Sequence, residues 1–285
     1  MSDDPLIRDI SDTARWMAVY RADETAREDA AFRDPYARAL AGERGERIAK
    51  ALSLGERDTW PFIARTYLFD QFVAKLVRQG ADLVVNLAAG LDTRPYRMEL
   101  PPSLRWVEVD LAEILDYKKE VLADAKPTCA LERVALDLSN PDARRGLFDR
   151  LGRSAKQVAV LSEGLVVYLM KEEVGALAHD LAALPSVRHW VVDICSPGLL
   201  EMLKGGAMGN ALKEAGAPFL FAPEEGPAFF TSYGWTPLEV RSILKTAGKL
   251  GRLPLALRMF AMLPESSGAQ GRRPWSAVCL LGKTN

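Results

Sequence analysis

Hydrophobic and polar positions give the chain two textures. Through residue 80, apolar residues recur at helical spacing. Phe62, Arg65, Phe69, Phe72 and Leu76 fall three and four residues apart, so one helix face carries an arginine inside an apolar stripe. Asp34 followed by Pro35 reads as an N-cap with proline in the first helical position. From residue 81 short, nearly all-apolar runs appear at residues 83–87, 104–109, 131–138, 158–161 and 190–194. With helix-like segments between most of them, they carry the βαβ rhythm of a parallel, doubly wound sheet. Strands covered on both faces read this way, without the alternation of a half-exposed sheet. After Cys195 the rhythm stops. Residues 196–234 are rich in glycine, proline and aromatics around one helix-like stretch at 199–215. Two further strands, at 235–240 and 277–281, flank a helix at 241–250.

The pattern predicts an α/β fold in one structural unit. A helical N-terminal cap spans residues 1–80, a doubly wound, mostly parallel sheet spans 81–285, and an insertion lies at about 196–234. Charge then narrows function: 37 Lys and Arg against 38 Asp and Glu leave a net charge of −1. That balance argues against broad phosphate tracking, so nucleic acid is not an expected partner. Cys129, Cys195 and Cys279 are far apart and form no C-x-x-C pair, so neither a disulfide framework nor a metal cluster is expected. The first residues are acidic and no stretch reaches the length of a spanning helix, so a cytoplasmic location and no membrane partner are expected. Oligomeric state stays open.

In an open parallel sheet, ligands bind outside the carboxyl ends of the strands. Gly90 and Asp92 follow the first run, Asp110 the second, Asp137 and Leu138 close the third, Glu163 follows the fourth, and Asp193 ends the fifth. Gly90 allows close backbone approach, and Asp110, twenty residues on, stands where an acid accepts ribose hydroxyls. The choice lies between a dinucleotide and S-adenosyl-L-methionine. The loop lacks G-x-G-x-x-G, with Ala88 at its first glycine position and Thr93 at its last, and Asp92 would repel a pyrophosphate. S-adenosyl-L-methionine has no phosphate and carries an ammonium and a sulfonium, so these features favour it. Asp137 can accept from the adenine amino group beside the Leu138 backbone, and Glu163 stands near the methionine moiety. Helix caps would account for Asp92 and Asp137, and a structural ion pair for Glu163. Arg65 suits the cofactor carboxylate; the alternative is a buried pair with Asp70 or Asp92.

The run VNLAAGLDTRPYR at 85–97, WVEVD at 106–110, Asp137-Leu138 and SEGLVVYL at 162–169 resemble the leucine carboxyl methyltransferase family. Residues 12–40 look most like its bacterial branch of polyketide carboxyl methyltransferases, tetracenomycin type. The resemblance implies a Rossmann-like class I methyltransferase fold of seven strands, the last antiparallel. It implies that Arg65 holds the cofactor carboxylate, Gly90 gives close approach, Asp110 binds ribose, Asp137 and Leu138 bind adenine, and Glu163 lies beside the methionine moiety. Arg15 matches a basic N-terminal lid residue. Ala88 departs from the pattern, where many members have glycine.

Methyl transfer from a sulfonium is an in-line displacement that needs alignment more than acid–base help. A phenol or alcohol usually needs a base, whereas a carboxylate is already ionised at neutral pH. The two histidines, His179 and His189, fall away from the strand ends, which favours a carboxylate acceptor. A phenolate of lowered pKa, a protein C-terminal carboxylate, and a non-catalytic cofactor-binding protein remain open. Trp16 and Tyr20 in the cap, with Phe219, Phe221, Phe229, Phe230, Tyr233 and Trp235 near the insertion, suggest an aromatic-lined cavity for a flat, apolar small molecule. Tyr168 is the expected residue to orient it. No catalytic residue is otherwise assigned.

Overall fold

The computed structural model describes residues 6–8, 11–52, 59–264 and 271–284. Three helices come first: α1 (Ser11–Thr25), α2 (Ala37–Leu52) and α3 (Trp60–Arg78). The alternating part runs β1 (Leu83–Leu87), α4 (Arg94–Arg97), β2 (Arg105–Asp110), α5 (Ala112–Val121), β3 (Ala130–Ala135), α6 (Pro141–Arg153), β4 (Val158–Ser162), α7 (Lys171–Ala182) and β5 (Val187–Cys195). Then follow α8 (Pro197–Gly205), α9 (Ala207–Glu214), β6 (Trp235–Ser242), α10 (Ile243–Lys249), α11 (Leu255–Ala261) and β7 (Ser276–Lys283). Two 3-10 turns, at Val166–Tyr168 and Gly226–Tyr233, complete the set.

The seven strands form one sheet in the order β3-β2-β1-β4-β5-β7-β6. The pairs from β3 through β5 are parallel, and β7 runs antiparallel to both β5 and β6. Alternate residues of each strand feed opposite faces, and both faces are covered. On one, Val85, Val107, Val160 and Trp190 meet Phe148 and Leu151 of α6 and Val174 and Leu177 of α7. On the other, Val84, Trp106, Leu161 and Val191 meet Leu68, Phe69, Phe72 and Leu76 of α3 and Ile243 of α10. Phe69, Phe72 and Leu76 of the stripe read from the sequence are therefore buried against the sheet, while Phe62 packs with Trp16 and Tyr20 of α1. Phe69 and Phe72 are each fully covered, worth about 2–3 kcal/mol of apolar burial apiece. No helix among the described residues is long and apolar enough to cross a membrane.

The expected α/β class holds, and the departures are local. The third strand ends at Ala135 rather than at residue 138, because Asp137 turns the chain by accepting from the Ser139 amide at 2.9 Å, and Asn140 caps α6. The stretch at 199–215 is two helices, α8 and α9, broken at Gly205 and Gly206, where glycine disfavours a continuous helix. The expected helix at 241–250 begins two residues later, at Ile243, because the Ser242 side chain caps it by accepting from the Lys245 amide. Cys129, Cys195 and Cys279 are buried free thiols.

Candidate active site

The carboxyl ends of β1, β2, β4 and β5 open onto a cavity of about 580 Å³, a size within the range of cofactor and ligand sites. Helix α1 lies over it and contributes Thr13, Ala14, Trp16, Met17, Tyr20 and Arg21. The loop after β1 is tightly formed. The Ala89 amide donates to Val109 O at 3.2 Å, and Gly90, at φ 47°, donates its amide to Asp110 Oδ2 at 2.6 Å. Asp110 Oδ1 accepts from the Leu111 amide at 2.7 Å. Burial pushes the Asp110 carboxyl up, against the pull of those two amides. A side chain at Gly90 would bring a Cβ within 3.2 Å of the Ala14 Cβ. Ala88 also lies in the left-handed region, at φ 53°, a strained conformation for alanine.

Below the loop runs a chain of buried charges. Arg65 donates from Nε to Glu163 Oε1 at 3.2 Å and from Nη1 to Asp193 Oδ2 at 3.3 Å. Glu163 also accepts from Thr66 Oγ1 at 3.4 Å and from Arg94 Nη2 at 2.8 Å. Arg94 reaches further, from Nε to Asp70 Oδ1 at 2.7 Å and from Nη1 to Asp92 Oδ2 at 2.9 Å. Arg97 closes the chain with two 2.7 Å bonds to Asp70. Asp193 Oδ1 accepts from the Gly164 amide at 2.7 Å, which fixes the turn after β4. Burial opposes the charge on Arg94, but Asp92, Glu163 and Asp70 hold it protonated well above the ordinary guanidinium value. Burial likewise raises Asp92, yet Arg94 and Lys118 prevail and bring it to about 2.

Most of the residues singled out in the sequence meet here. Arg65, Gly90, Asp110, Asp137, Leu138, Glu163, Tyr168 and Asp193 all line the one cavity. Asp137 stands at its exposed rim, and the Leu138 carbonyl accepts from Arg144 Nη1 at 2.9 Å. Arg65 does form ion pairs, partly buried ones, but its partners are Glu163 and Asp193 rather than Asp70 or Asp92. Arg15 is the exception: its guanidinium sits 3.4 Å over the Tyr117 ring, and it does not line the cavity. Neither histidine lines it.

Three cavity arginines escaped the sequence reading: Arg94, Arg21, and Arg97, which closes the chain of charges on Asp70. Arg94 ties acids from α3, the β1 loop and β4, and its place two residues after Asp92 was the one available sign. Arg21 lines the cavity while donating to Leu91 O at 2.7 Å and Asp34 Oδ2 at 2.9 Å; no sequence pattern marked it.

The aromatic residues divide into two groups. Phe229, Phe230, Tyr233 and Trp235 pack with Trp190 and the sheet as ordinary core. Phe219 and Phe221 line the cavity with Trp16, Tyr20, Trp60 and Phe62, and Leu199, Leu203 and Met208 add apolar surface from α8 and α9. Tyr20 and Phe62 stack at 5.3 Å, and Tyr168 lies 5.5 Å from Phe219. Burial pushes the Tyr168 phenol up to about 12, against the pull of Arg65.

Strand order, the glycine loop on an acid and a cavity over the carboxyl ends together define a class I methyltransferase fold. A protein from Streptomyces avermitilis (DUF574 family) superposes with a TM-score of 0.61 at 17% identity, covering 95% of this chain and 97% of that one. A Thermobifida fusca structure, provisionally named a methyltransferase, gives 0.61 at 16% identity, covering 99% and 97%. In sequence, a Frankia alni protein provisionally named an S-adenosyl-L-methionine-dependent methyltransferase is 31% identical over 234 residues, 78% of this chain and 81% of that protein. A Mycobacteroides abscessus protein with the same provisional name is 35% identical over 190 residues, 60% of this chain and 61% of its own length. The sequence profile of leucine carboxyl methyltransferases matches residues 14–182. The chain belongs to the leucine carboxyl methyltransferase family.

Proposed function

We propose that this protein is a cytoplasmic S-adenosyl-L-methionine-dependent O-methyltransferase whose acceptor is a carboxylate of an apolar or aromatic small molecule. The observation that carries the reading is a cavity with acids and arginines under one part and aromatic side chains around the other. When bound, S-adenosyl-L-methionine supplies a methyl group made electrophilic by its sulfonium. The residues present fit that group. Each Asp110 oxygen keeps lone-pair capacity beyond its backbone bond, so the carboxylate can accept both ribose hydroxyls. Gly90 keeps the loop low enough for close approach, and Asp137 with the Leu138 backbone, at the cavity rim, would hold the adenine edge. Arg65 uses Nε and Nη1 on protein acids, which leaves Nη2 for a ligand carboxylate.

Charge balance supports the same assignment. Asp70, Asp92, Glu163 and Asp193 face Arg65, Arg94 and Arg97, so four acids against three guanidiniums leave one negative charge beside the cavity. A zwitterionic amino-acid end is neutral, and the excess acid favours a sulfonium over its neutral product. The aromatic walls would orient the acceptor and exclude water. Tyr168 stays a phenol at neutral pH, so it serves as a hydrogen-bond donor and not as a base. A carboxylate acceptor needs no base, which suits a cavity that no histidine lines.

Calorimetry with S-adenosylhomocysteine tests the cofactor assignment. Wild type should bind, and Asp110→Ala should bind at least about tenfold more weakly, the loss expected for a charge-assisted hydrogen-bond pair. No binding to well-folded wild type refutes the assignment. The acceptor class is tested by incubating extracts with methyl-labelled cofactor and treating the extractable product with mild alkali. Release of labelled methanol supports a methyl ester, and alkali-stable label points to a phenolic ether. Label retained on protein points to a protein carboxylate.

A further inference from the structure

We propose that α11 and the turn after it form a surface that docks on an anionic phospholipid bilayer. Leu255, Met259, Phe260, Met262 and Leu263 are all exposed, with Met262 at 84% and Leu255 and Met259 at 77%. The opposite side of this segment is already seated. Leu253 is buried, Leu257 and Ala261 pack on the face shared by α3 and α10, and Ala261 lies against Gly248. A helix at a soluble surface turns polar residues outward, but here the outward side is apolar as well. So concentrated a group marks an interaction surface.

Charge selects the occupant. Residues 241–264 contain five cations, Arg241, Lys245, Lys249, Arg252 and Arg258, and no Asp or Glu, in a chain whose net charge is −1. Arg241 is held by Glu239, and Arg252 by Glu24 and Asp29. Arg258, within α11 itself, and Lys249, at the end of α10, are exposed, as are Arg272 and Arg273 before β7. Apolar side chains at headgroup depth with cations on the phosphates are the elements of interfacial binding. A two-fold contact with a second copy through α11 would instead bring Arg258 and Lys249 of both copies into one interface, with no acid in residues 241–264 to pair them.

The position suits delivery of an apolar acceptor. Ile243 at the start of α10 and Ser276 at the start of β7 both line the cavity, and α11 lies in the connection between them. Arg252, just before α11, donates to Glu24 at 2.8 Å and so ties this segment to the end of α1, the helix over the cavity. The expectation of no membrane partner rested on the lack of a spanning segment, and surface docking needs none.

Sedimentation with large vesicles tests the proposal without any acceptor. Wild type should pellet with phosphatidylcholine vesicles containing phosphatidylglycerol, less so with pure phosphatidylcholine, and less as salt is raised. Met259→Ser with Phe260→Ser should weaken partitioning at least about tenfold, the scale of losing two buried apolar side chains. Lys249→Glu with Arg258→Glu should abolish the preference for the anionic lipid. Far-ultraviolet circular dichroism and S-adenosylhomocysteine binding should match wild type in both variants. Absence of pelleting with the anionic vesicles would overturn the proposal. So would a wild-type dimer in light scattering that becomes monomeric in the serine variant, since a second copy would then cover the patch.

Discussion

Replacing Arg94 with methionine should be among the most damaging single changes in the protein, for a reason that can be worked through. The guanidinium side chain is 3% exposed, and its three acid partners are 11% to 18% exposed. Methionine fills similar volume but leaves Asp70, Asp92 and Glu163 without their shared cation. Breaking a buried ion pair from one side costs about 3–5 kcal/mol. For a chain of this size that lowers the thermal midpoint by roughly 5–8 °C. Asp92 supplies a separate check. Its carboxyl lies at about 2 instead of 3.8, a difference that corresponds to about 2 kcal/mol of stability. Because the folded value is depressed, this contribution is fully present above 3.8 and is lost as pH falls toward 2. In Arg94→Met, burial of Asp92 is no longer outweighed by its nearest cation, so its carboxyl rises. The stability gap between variant and wild type should therefore narrow as pH falls through that window. Urea titrations at neutral and acid pH measure both effects. A loss under about 1 kcal/mol at neutral pH, or a gap that stays constant into acid, would refute the reasoning.

Three further changes probe other parts of the molecule. Ala88→Gly removes a left-handed alanine, so it should be neutral to stabilising by up to about 1 kcal/mol in thermal melts once the added freedom of the unfolded chain is counted. Lys118→Met leaves Glu108, its fully buried partner at 2.6 Å, with only Arg133; a loss of about 3–5 kcal/mol is expected. Burial already raises Glu108, so this variant should lose stability as pH rises through its elevated folded value, read by chemical denaturation across pH. Phe219→Ala should enlarge the aromatic end of the cavity, raising KM for the acceptor about tenfold while leaving S-adenosylhomocysteine affinity unchanged in calorimetry.

The features legible in the sequence were those whose cause is local. Strands such as β1 and β4 are buried along their whole length, so their apolar runs had to be continuous. The Gly90–Asp110 contact could be anticipated because adjacent parallel strands in register put a residue twenty positions away beside the loop. Arg94 was different. Its acids lie 24, 2 and 69 residues away, and only closure of the sheet against α3 brings them together. The same distance problem hid the true partners of Arg65, at separations of 98 and 128 residues, although its place in an apolar stripe correctly required some partner.

The division among the aromatic residues follows from the same physics. Phe219, Phe221, Phe229 and Phe230 look alike in sequence. Two adjacent rings, Phe229 and Phe230, lie in a 3-10 turn and are packed at 5.2 Å against each other over the sheet. Phe221 also touches Phe229, at 5.0 Å, yet it faces the cavity. What separates wall from core is the anchoring of the preceding loop, where the Leu220 and Phe221 amides both donate to Val167 O, at 2.7 and 3.1 Å. That carbonyl belongs to the 3-10 turn that carries Tyr168. The acceptor wall and the expected orienting phenol are thus set by one backbone group, so a change that disturbs the Val166–Tyr168 turn should alter acceptor selectivity before it alters cofactor binding.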